Sequence, residues 1–151
     1  GTMFDKLGSG LGWGLGAALG AKLAAPDKTV VTLVGDGSFN FGCPISTLWA
    51  AHCNRAPFLC VVFNNGGYMA PKMHHRQAYG PDSYLEKGDV AIGSDFVSPP
   101  DYAAIARACH AHAETVDDPS AIRAALKRAL KQVRAGQAAL LDVKIAKPPR
   151  R

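Results

Sequence analysis

A three-layer α/β/α domain on a mostly parallel, doubly wound sheet is the fold this sequence predicts, from two apolar runs and the way each one stops. Val30-Val31-Thr32-Leu33-Val34 ends at Gly35-Asp36-Gly37-Ser38, and Phe58-Leu59-Cys60-Val61-Val62-Phe63 ends at Asn64-Asn65-Gly66-Gly67-Tyr68. Near-continuous runs rich in β-branched residues mark central strands of a parallel sheet. A helical stretch between two such strands makes a right-handed βαβ unit. Both runs then end, in small and polar residues, at the carboxyl edge of the sheet, where open α/β folds bind ligands.

Each element follows from its local chemistry. Gly8-Ser9-Gly10-Leu11-Gly12 reads as a loop that can adopt positive φ or admit another group close to its backbone. Residues 13–25 turn helical, rich in Ala and Leu, until Pro26-Asp27. Gly12, Gly16 and Gly20 would give that helix a smooth face for packing on the sheet or another subunit. A glycine in mid-helix costs up to about 1 kcal/mol relative to alanine, so the face should serve packing. The first strand covers 29–34. Helix 44–53 opens with Pro44, whose missing N–H costs nothing in a first turn, and Ile45, Leu48 and Trp49 form a stripe expected to face the sheet. Asn54-Arg55-Ala56-Pro57 breaks it and leads into the second strand, 58–63.

Residues 69–77 read as a short helix, 80–93 as loop, and Ser98-Pro99-Pro100 as a stop. So long a connection is expected to cover a site or an interface. Asp101 caps a helix expected to run to His112, with Tyr102, Ile105 and Ala106 on one face. A strand near 114–116 follows. Pro119 opens a helix to about 135, with Ile122, Leu126, Leu130 and Val133 inward, and Gly136 closes it. A final strand covers 139–145, and 147–151 is a flexible tail. Repeated β-then-α alternation places helices on both faces of one sheet.

A chain of 151 residues, 48% hydrophobic and 19% charged, is one globular domain with a real core. Its net charge of +5 is mild. The basic residues Lys127, Arg128, Lys131 and Arg134 read as a solvated helix face without interleaved aromatics, so no nucleic-acid surface is expected. Cys43, Cys53, Cys60 and Cys109 show no CxxC pairing and read as reduced, buried thiols of a cytoplasmic protein. The apolar stretch 7–21 falls short of the roughly 20 residues a membrane span needs. The start at Gly1 carries no targeting signal and reads like the middle of something longer.

An Asp at a strand end, set among glycines, can hold a divalent cation while nearby N–H groups face phosphate oxygens. Mg²⁺ takes six hard oxygens, shared between a few protein groups, water and substrate phosphate. Asp36, the Asn65 amide oxygen and the Gly67 carbonyl form such a set. With a single carboxylate it cannot neutralise the ion, so it expects a ligand that brings its own negative charge, as a diphosphate does. Gly37 and Ser38 would offer N–H groups and a hydroxyl to it. Taken alone, Gly-Asp-Gly is equally a tight turn with a capping Asp, and Asn-Asn-Gly-Gly equally a plain turn.

Together, at positions 35–37 and 64–65 and with Gly10-Leu11-Gly12-Trp13 and Pro26-Asp27 before them, the two resemble the signature of thiamine-diphosphate enzymes. The match is to the diphosphate-binding domain of the benzoylformate decarboxylase and acetolactate synthase-like superfamily. It runs from about residue 8 to 68 and more loosely through the last two helices and the final strand.

The resemblance implies thiamine diphosphate and Mg²⁺ as cofactors. It makes Asp36, Asn65 and Gly67 the metal ligands, and Gly35, Gly37 and Ser38 diphosphate contacts. Leu11 would lie beneath the cofactor and force its bent shape, beside Gly10, while the Ser9 carbonyl would meet the aminopyrimidine. Tyr68 and Met69 would line the pocket near the thiazolium. His74 and His75 lie where relatives contact substrate, a solvated loop being the alternative. Lys72 and Arg76 would attract a carboxylate or acyl-CoA phosphate, or simply decorate a surface helix. Gly16 departs from the proline usual in the family, and 70–98 matches poorly.

No catalytic residue is expected within this chain. The family's activating glutamate comes from a pyrimidine-binding domain, in the same full-length chain or a separate subunit, so a homo- or hetero-oligomer is implied. The isolated polypeptide is expected to be inactive, as a fragment or as a small subunit. Three functions stay open: a lyase, decarboxylase or carboligase acting on 2-oxo acids or 2-hydroxyacyl-CoA; the cofactor part of an oxidative 2-oxo-acid dehydrogenase or oxidoreductase; and a non-catalytic binding or assembly module. The remaining histidines read as His52 on a packed or surface helix and His110 and His112 at a helix end.

Overall fold

Strands β1 (Val31–Gly35), β2 (Leu59–Asn64), β3 (His112–Val116) and β4 (Ala139–Lys144) form one parallel sheet in the order β1-β2-β4-β3. They come from a computed structural model that describes residues 3–5, 10–80, 83 and 91–146. The helices are α1 (Trp13–Ala24), α2 (Asp36–Phe41), α3 (Pro44–Cys53), α4 (Met69–Tyr79), α5 (Tyr102–Ala108) and α6 (Ile122–Arg134). The predicted three-layer, doubly wound parallel fold is what forms. The loop 80–93 lies mostly, and the tail 147–151 wholly, outside the described residues.

Side-chain alternation along each strand builds two cores. On one face Val34, Cys60, Val62 and Leu140 pack with Leu15 of α1, Leu48 of α3 and Tyr102 of α5. On the other, Leu59, Val61, Leu141 and Val116 pack under Ala125, Ala129 and Val133 of α6. Ile122, Leu126 and Leu130, expected to point inward, are only partly buried at the flank of that core, and Ala125 and Ala129 take the inner positions beside Val133. Burial pushes the Cys60 thiol up to about 12, so it stays protonated and acts as a small apolar side chain.

Several expectations are corrected. Among the described residues β1 is an edge strand, not a central one, and its outer residues Val31 and Leu33 are 47% and 65% exposed. A β-branched run favours a strand without saying that both of its faces are covered. On α3 only Leu48 and Ala51 are buried, while Ile45 and Trp49 are 62% and 59% exposed. Small Ala51 lets the helix approach the core beside Leu48, and the bulkier Ile45 and Trp49 rotate outward.

The close approach of α1 to the sheet comes from Gly14. A Cβ there would lie 2.8 Å from a Val34 methyl, and its carbonyl accepts from the Thr32 hydroxyl. At Gly16 and Gly20 nothing lies within 4 Å. Helix α5 ends at Ala108, because His110 takes a left-handed φ of 65° and turns the chain into β3. His112 is therefore a strand residue. Pro119 opens a 3₁₀ turn, Pro119–Ala121, before α6 begins. All four cysteines are free, but Cys43 and Cys53 are exposed, contrary to the expectation of buried thiols.

An ion pair fastens α6 to the sheet. The Arg128 guanidinium donates to both Glu114 oxygens on β3, at 2.6 to 3.2 Å, and His112 Nε2 lies 2.9 Å from one of them. The Arg128 bonds hold the Glu114 carboxyl below its usual 4.5; burial opposes this, and His112 adds to the lowering. A carboxyl with a depressed folded-state pKa contributes stability that is present above its unfolded value and lost as pH falls through the folded one. Arg128→Met is therefore expected to lower stability at neutral pH, where the Glu114 contribution is fully present, and to matter less as pH falls through the folded Glu114 value, as followed by circular dichroism.

Candidate functional site

The carboxyl ends of β1 and β2 bring the two predicted motifs side by side. Gly35 closes β1 in extended conformation, and Asp36 starts α2 instead of the plain turn that Gly-Asp-Gly alone allows. Phe39, fully buried one turn later, meets the Tyr102 ring edge-on at 5.2 Å and holds α2 in the core. The Asp36 side chain is consequently 1% exposed. A Cβ on Gly37 would sit 2.5 Å from the Tyr68 ring, so the helix start and the β2 turn pack without room for a side chain.

The Asp36 carboxylate binds the second motif directly. Its Oδ1 accepts from Gly37 N at 3.0 Å, and its Oδ2 from Gly66 N at 2.8 Å and Gly67 N at 3.0 Å. A carboxylate has about four lone-pair positions. Three are used, which leaves one on Oδ1. Asn65 Oδ1 is buried and, among the described residues, has no hydrogen-bond donor. The Gly67 carbonyl accepts from Met69 N at 3.1 Å and keeps its second lone pair. The buried amide oxygen without a donor fits a cation better than it fits solvent, because an unpaired buried acceptor is costly. The donor set of carboxylate, amide and carbonyl oxygens suits a hard cation such as Mg²⁺.

Residues beyond 70 close over this turn. Gly67 bridges Asp95 antiparallel, Tyr68 N donates to Ser94 O at 2.7 Å, and Phe96 N donates to Gly66 O at 2.8 Å. The connection expected to cover a site or an interface thus pins the turn after β2. A Cβ on Gly67 would lie 2.5 Å from Ser94 O, so this approach requires glycine. Tyr68 is wedged edge-on between Phe41 at 5.9 Å and Phe96 at 4.8 Å. Lys72 on α4 pairs with Asp95 at 3.3 Å, so its ammonium holds the covering segment.

The loop before α1 joins from the other side. Ser38 Oγ accepts from Gly12 N at 3.0 Å, which ties the 10–12 turn to α2 and leaves the hydroxyl proton for another acceptor. Gly12 has φ 92°, and a Cβ there would meet the Phe41 carbonyl at 2.6 Å, so only glycine fits. Gly10 and Leu11 are exposed beside it, Leu11 by 50%. Ser9 lies outside the described residues. Met69 is half-buried at the start of α4. His74 is exposed and the His75 ring lies 4.6 Å from that of Tyr79.

Sequence reasoning missed Asn64 and Asp142. Asn64 is 5% exposed and Asp142 2%, and they bond at 2.8 Å. A polar residue at an inward strand position next to the carboxyl edge was the available sign. Tyr102, also unassigned, accepts from Asn40 Nδ2 at 3.1 Å. Its phenol is raised above the ordinary value by burial, with Asp36 and Asp142 adding to this and the Asn40 bond opposing it.

A separate cleft of about 950 Å³ lies at the opposite edge of the sheet, where Lys22, His52 and Arg134 gather at the ends of α1, α3 and α6. Cations there face the negative ends of those helices. His52 stacks on His110 at 4.4 Å on that side. Among the described residues no group of three or more His, Cys, Asp or Glu is placed to hold a metal, and no helix is long and apolar enough to cross a membrane.

Known proteins share this fold and family. Residues 2–143 match the family described as thiamine pyrophosphate enzyme, C-terminal TPP binding domain, thiamine pyrophosphate being another name for thiamine diphosphate. A benzoylformate decarboxylase of Pseudomonas aeruginosa is 37% identical over 130 residues, which cover 86% of this chain and 22% of that protein. The solved structure of a thiamine diphosphate-dependent 4-hydroxybenzoylformate decarboxylase from Rhodococcus jostii superposes with a TM-score of 0.70 at 30% identity, over 91% of this chain and 23% of its own. The chain thus spans between a fifth and a quarter of the relatives it matches. With the family model covering nearly its whole length, the chain belongs to the C-terminal TPP-binding domains of thiamine pyrophosphate enzymes.

Proposed function

We propose that this chain holds the Mg²⁺–diphosphate end of thiamine diphosphate in a decarboxylase of 2-oxo acids. The observation that carries the reading is the buried Asn65 oxygen without a donor, beside an Asp36 carboxylate with one acceptor position left. Asp36, Asn65 and the Gly67 carbonyl would hold the cation. Gly35, Gly37 and Ser38 would face the diphosphate oxygens, with the Ser38 hydroxyl donating. Leu11, exposed on the loop that Ser38 ties down, would lie against the thiazolium with Tyr68 and Met69, and Gly10 and Ser9 would lead toward the aminopyrimidine. His74 and His75, on α4, would stand toward the substrate.

Bound thiamine diphosphate supplies a nucleophilic carbon for addition to a carbonyl and an electron sink for loss of CO₂. This chain's own contribution is anchoring. Its single carboxylate cannot neutralise a divalent cation, so cation and diphosphate would bind as one unit. The activating glutamate would come from a pyrimidine-binding domain, in the same full-length chain or in another subunit of a homo- or hetero-oligomer. The two decarboxylase relatives favour decarboxylation over ligation, 2-hydroxyacyl-CoA cleavage or oxidation. A cytoplasmic setting suits the free thiols.

Calorimetric titration of thiamine diphosphate with Mg²⁺ into the protein and its pyrimidine domain tests the reading. One binding event is expected for the unsubstituted protein and none for Asp36→Ala. Equal binding by Asp36→Ala, or decarboxylation by the isolated chain, would refute it.

A further inference from the structure

Asp142 sits in the core with no task in the proposed anchoring. Its side chain is 2% exposed on β4, on the same face of the sheet as Asn64 at the end of β2. An ionised group so deep is costly unless it is paired, and apolar pairs of similar volume often replace such groups without loss of stability. What this group provides is orientation. Its Oδ1 accepts from Asn64 Nδ2 at 2.8 Å, and its Oδ2 accepts from Lys144 Nζ at 2.8 Å.

A carboxylate accepts and never donates. Asn64 must therefore turn its amide nitrogen toward Asp142 and its carbonyl oxygen away. That oxygen accepts from Gly66 N at 3.1 Å, the same N–H that donates to Asp36 Oδ2 at 2.8 Å. Were the amide reversed, its NH₂ would face the Gly66 N–H, donor against donor, and its oxygen would face the carboxylate. The chain Lys144–Asp142–Asn64–Gly66 admits one arrangement, and it ends on the turn that carries Asn65 and Gly67.

We propose that Asp142, held by Lys144, is a positioning residue that sets the Asn64 amide and so forms the cation-binding turn before any ligand arrives. This rests on the metal–diphosphate reading above. Partners that orient ligands from behind commonly govern affinity about 10- to 100-fold.

The test uses the complete enzyme, with Mn²⁺ and thiamine diphosphate, and reads bound Mn²⁺ by electron paramagnetic resonance. In Asp142→Asn the new amide meets donors on both sides, the Asn64 nitrogen and the Lys144 ammonium, so the Mn²⁺ dissociation constant is expected to rise about tenfold. In Asp142→Asn/Lys144→Met one donor is gone. The new amide can then accept from Asn64, and affinity is expected to return to within about threefold of the unsubstituted enzyme. A merely structural role would leave the double variant, which has lost the ion pair as well, no better than the single one.

Hydrogen exchange on the unsubstituted enzyme is a second measurement that no failed fold can spoil. The Gly66 amide is expected to be protected before cofactor is added, and protection gained only on adding Mn²⁺ and cofactor would overturn the proposal. So would unchanged Mn²⁺ affinity in the single variant, or no recovery in a folded double variant. Absence of Mn²⁺ binding by the unsubstituted enzyme would instead refute the metal–diphosphate reading itself.

Discussion

Replacing Asn65 with leucine is expected to raise the melting temperature of the protein without its cofactor and to weaken its hold on a divalent cation by about 100-fold. The two effects share one cause. Among the described residues Asn65 Oδ1 is buried without a donor, and an orphaned polar atom of this kind costs about 1–3 kcal/mol. Leucine, of similar size, removes that cost along with the ligand oxygen. A residue kept at a cost to stability is the mark of a site that awaits a ligand. Differential scanning calorimetry without ligand and Mg²⁺ titration with thiamine diphosphate read the two halves separately. A variant that loses stability and keeps cation affinity would mean that Asn65 is a structural residue.

Phe39→Ala is expected to destabilise the fold by about 3–5 kcal/mol, the cost of deleting a fully buried aromatic ring. Phe39 is fully buried in the core formed by α1, α3 and α5 and meets Tyr102 edge-on at 5.2 Å. It also anchors the short helix that begins with Asp36. Cofactor affinity should therefore fall along with stability. Urea unfolding followed by circular dichroism measures the first effect. A change below about 1 kcal/mol would show that the ring's space can collapse at little cost.

How far the sequence could be read depended on whether a feature was local. The two strands, their stops and the helix between them follow from β-branched runs, Pro44 and the glycine clusters, and they lie where expected. That Asp36 meets the turn of Asn65 and Gly67 was legible because a strand end confines a short motif to one edge of the sheet. The orientation of α3 was not. Which of Ile45, Leu48, Trp49 and Ala51 turns inward depends on the gap left by α1 and α5, which hydrophobicity alone does not encode. The Asp142–Asn64 bond links residues 78 apart in sequence, and no local pattern announces it. The clamp of Ser94 and Phe96 over the β2 turn is likewise a tertiary contact, foreseen only as a connection too long to be idle.

The central claim is that one carboxylate and two neutral oxygens await a cation whose remaining charge is met by a diphosphate. Mn²⁺ binding to the complete enzyme, titrated by electron paramagnetic resonance with and without thiamine diphosphate, tests it most directly. The account predicts weak binding alone and affinity at least about 100-fold higher with the diphosphate present, a coupling of about 2.7 kcal/mol. Equal Mn²⁺ affinity with and without thiamine diphosphate would contradict it.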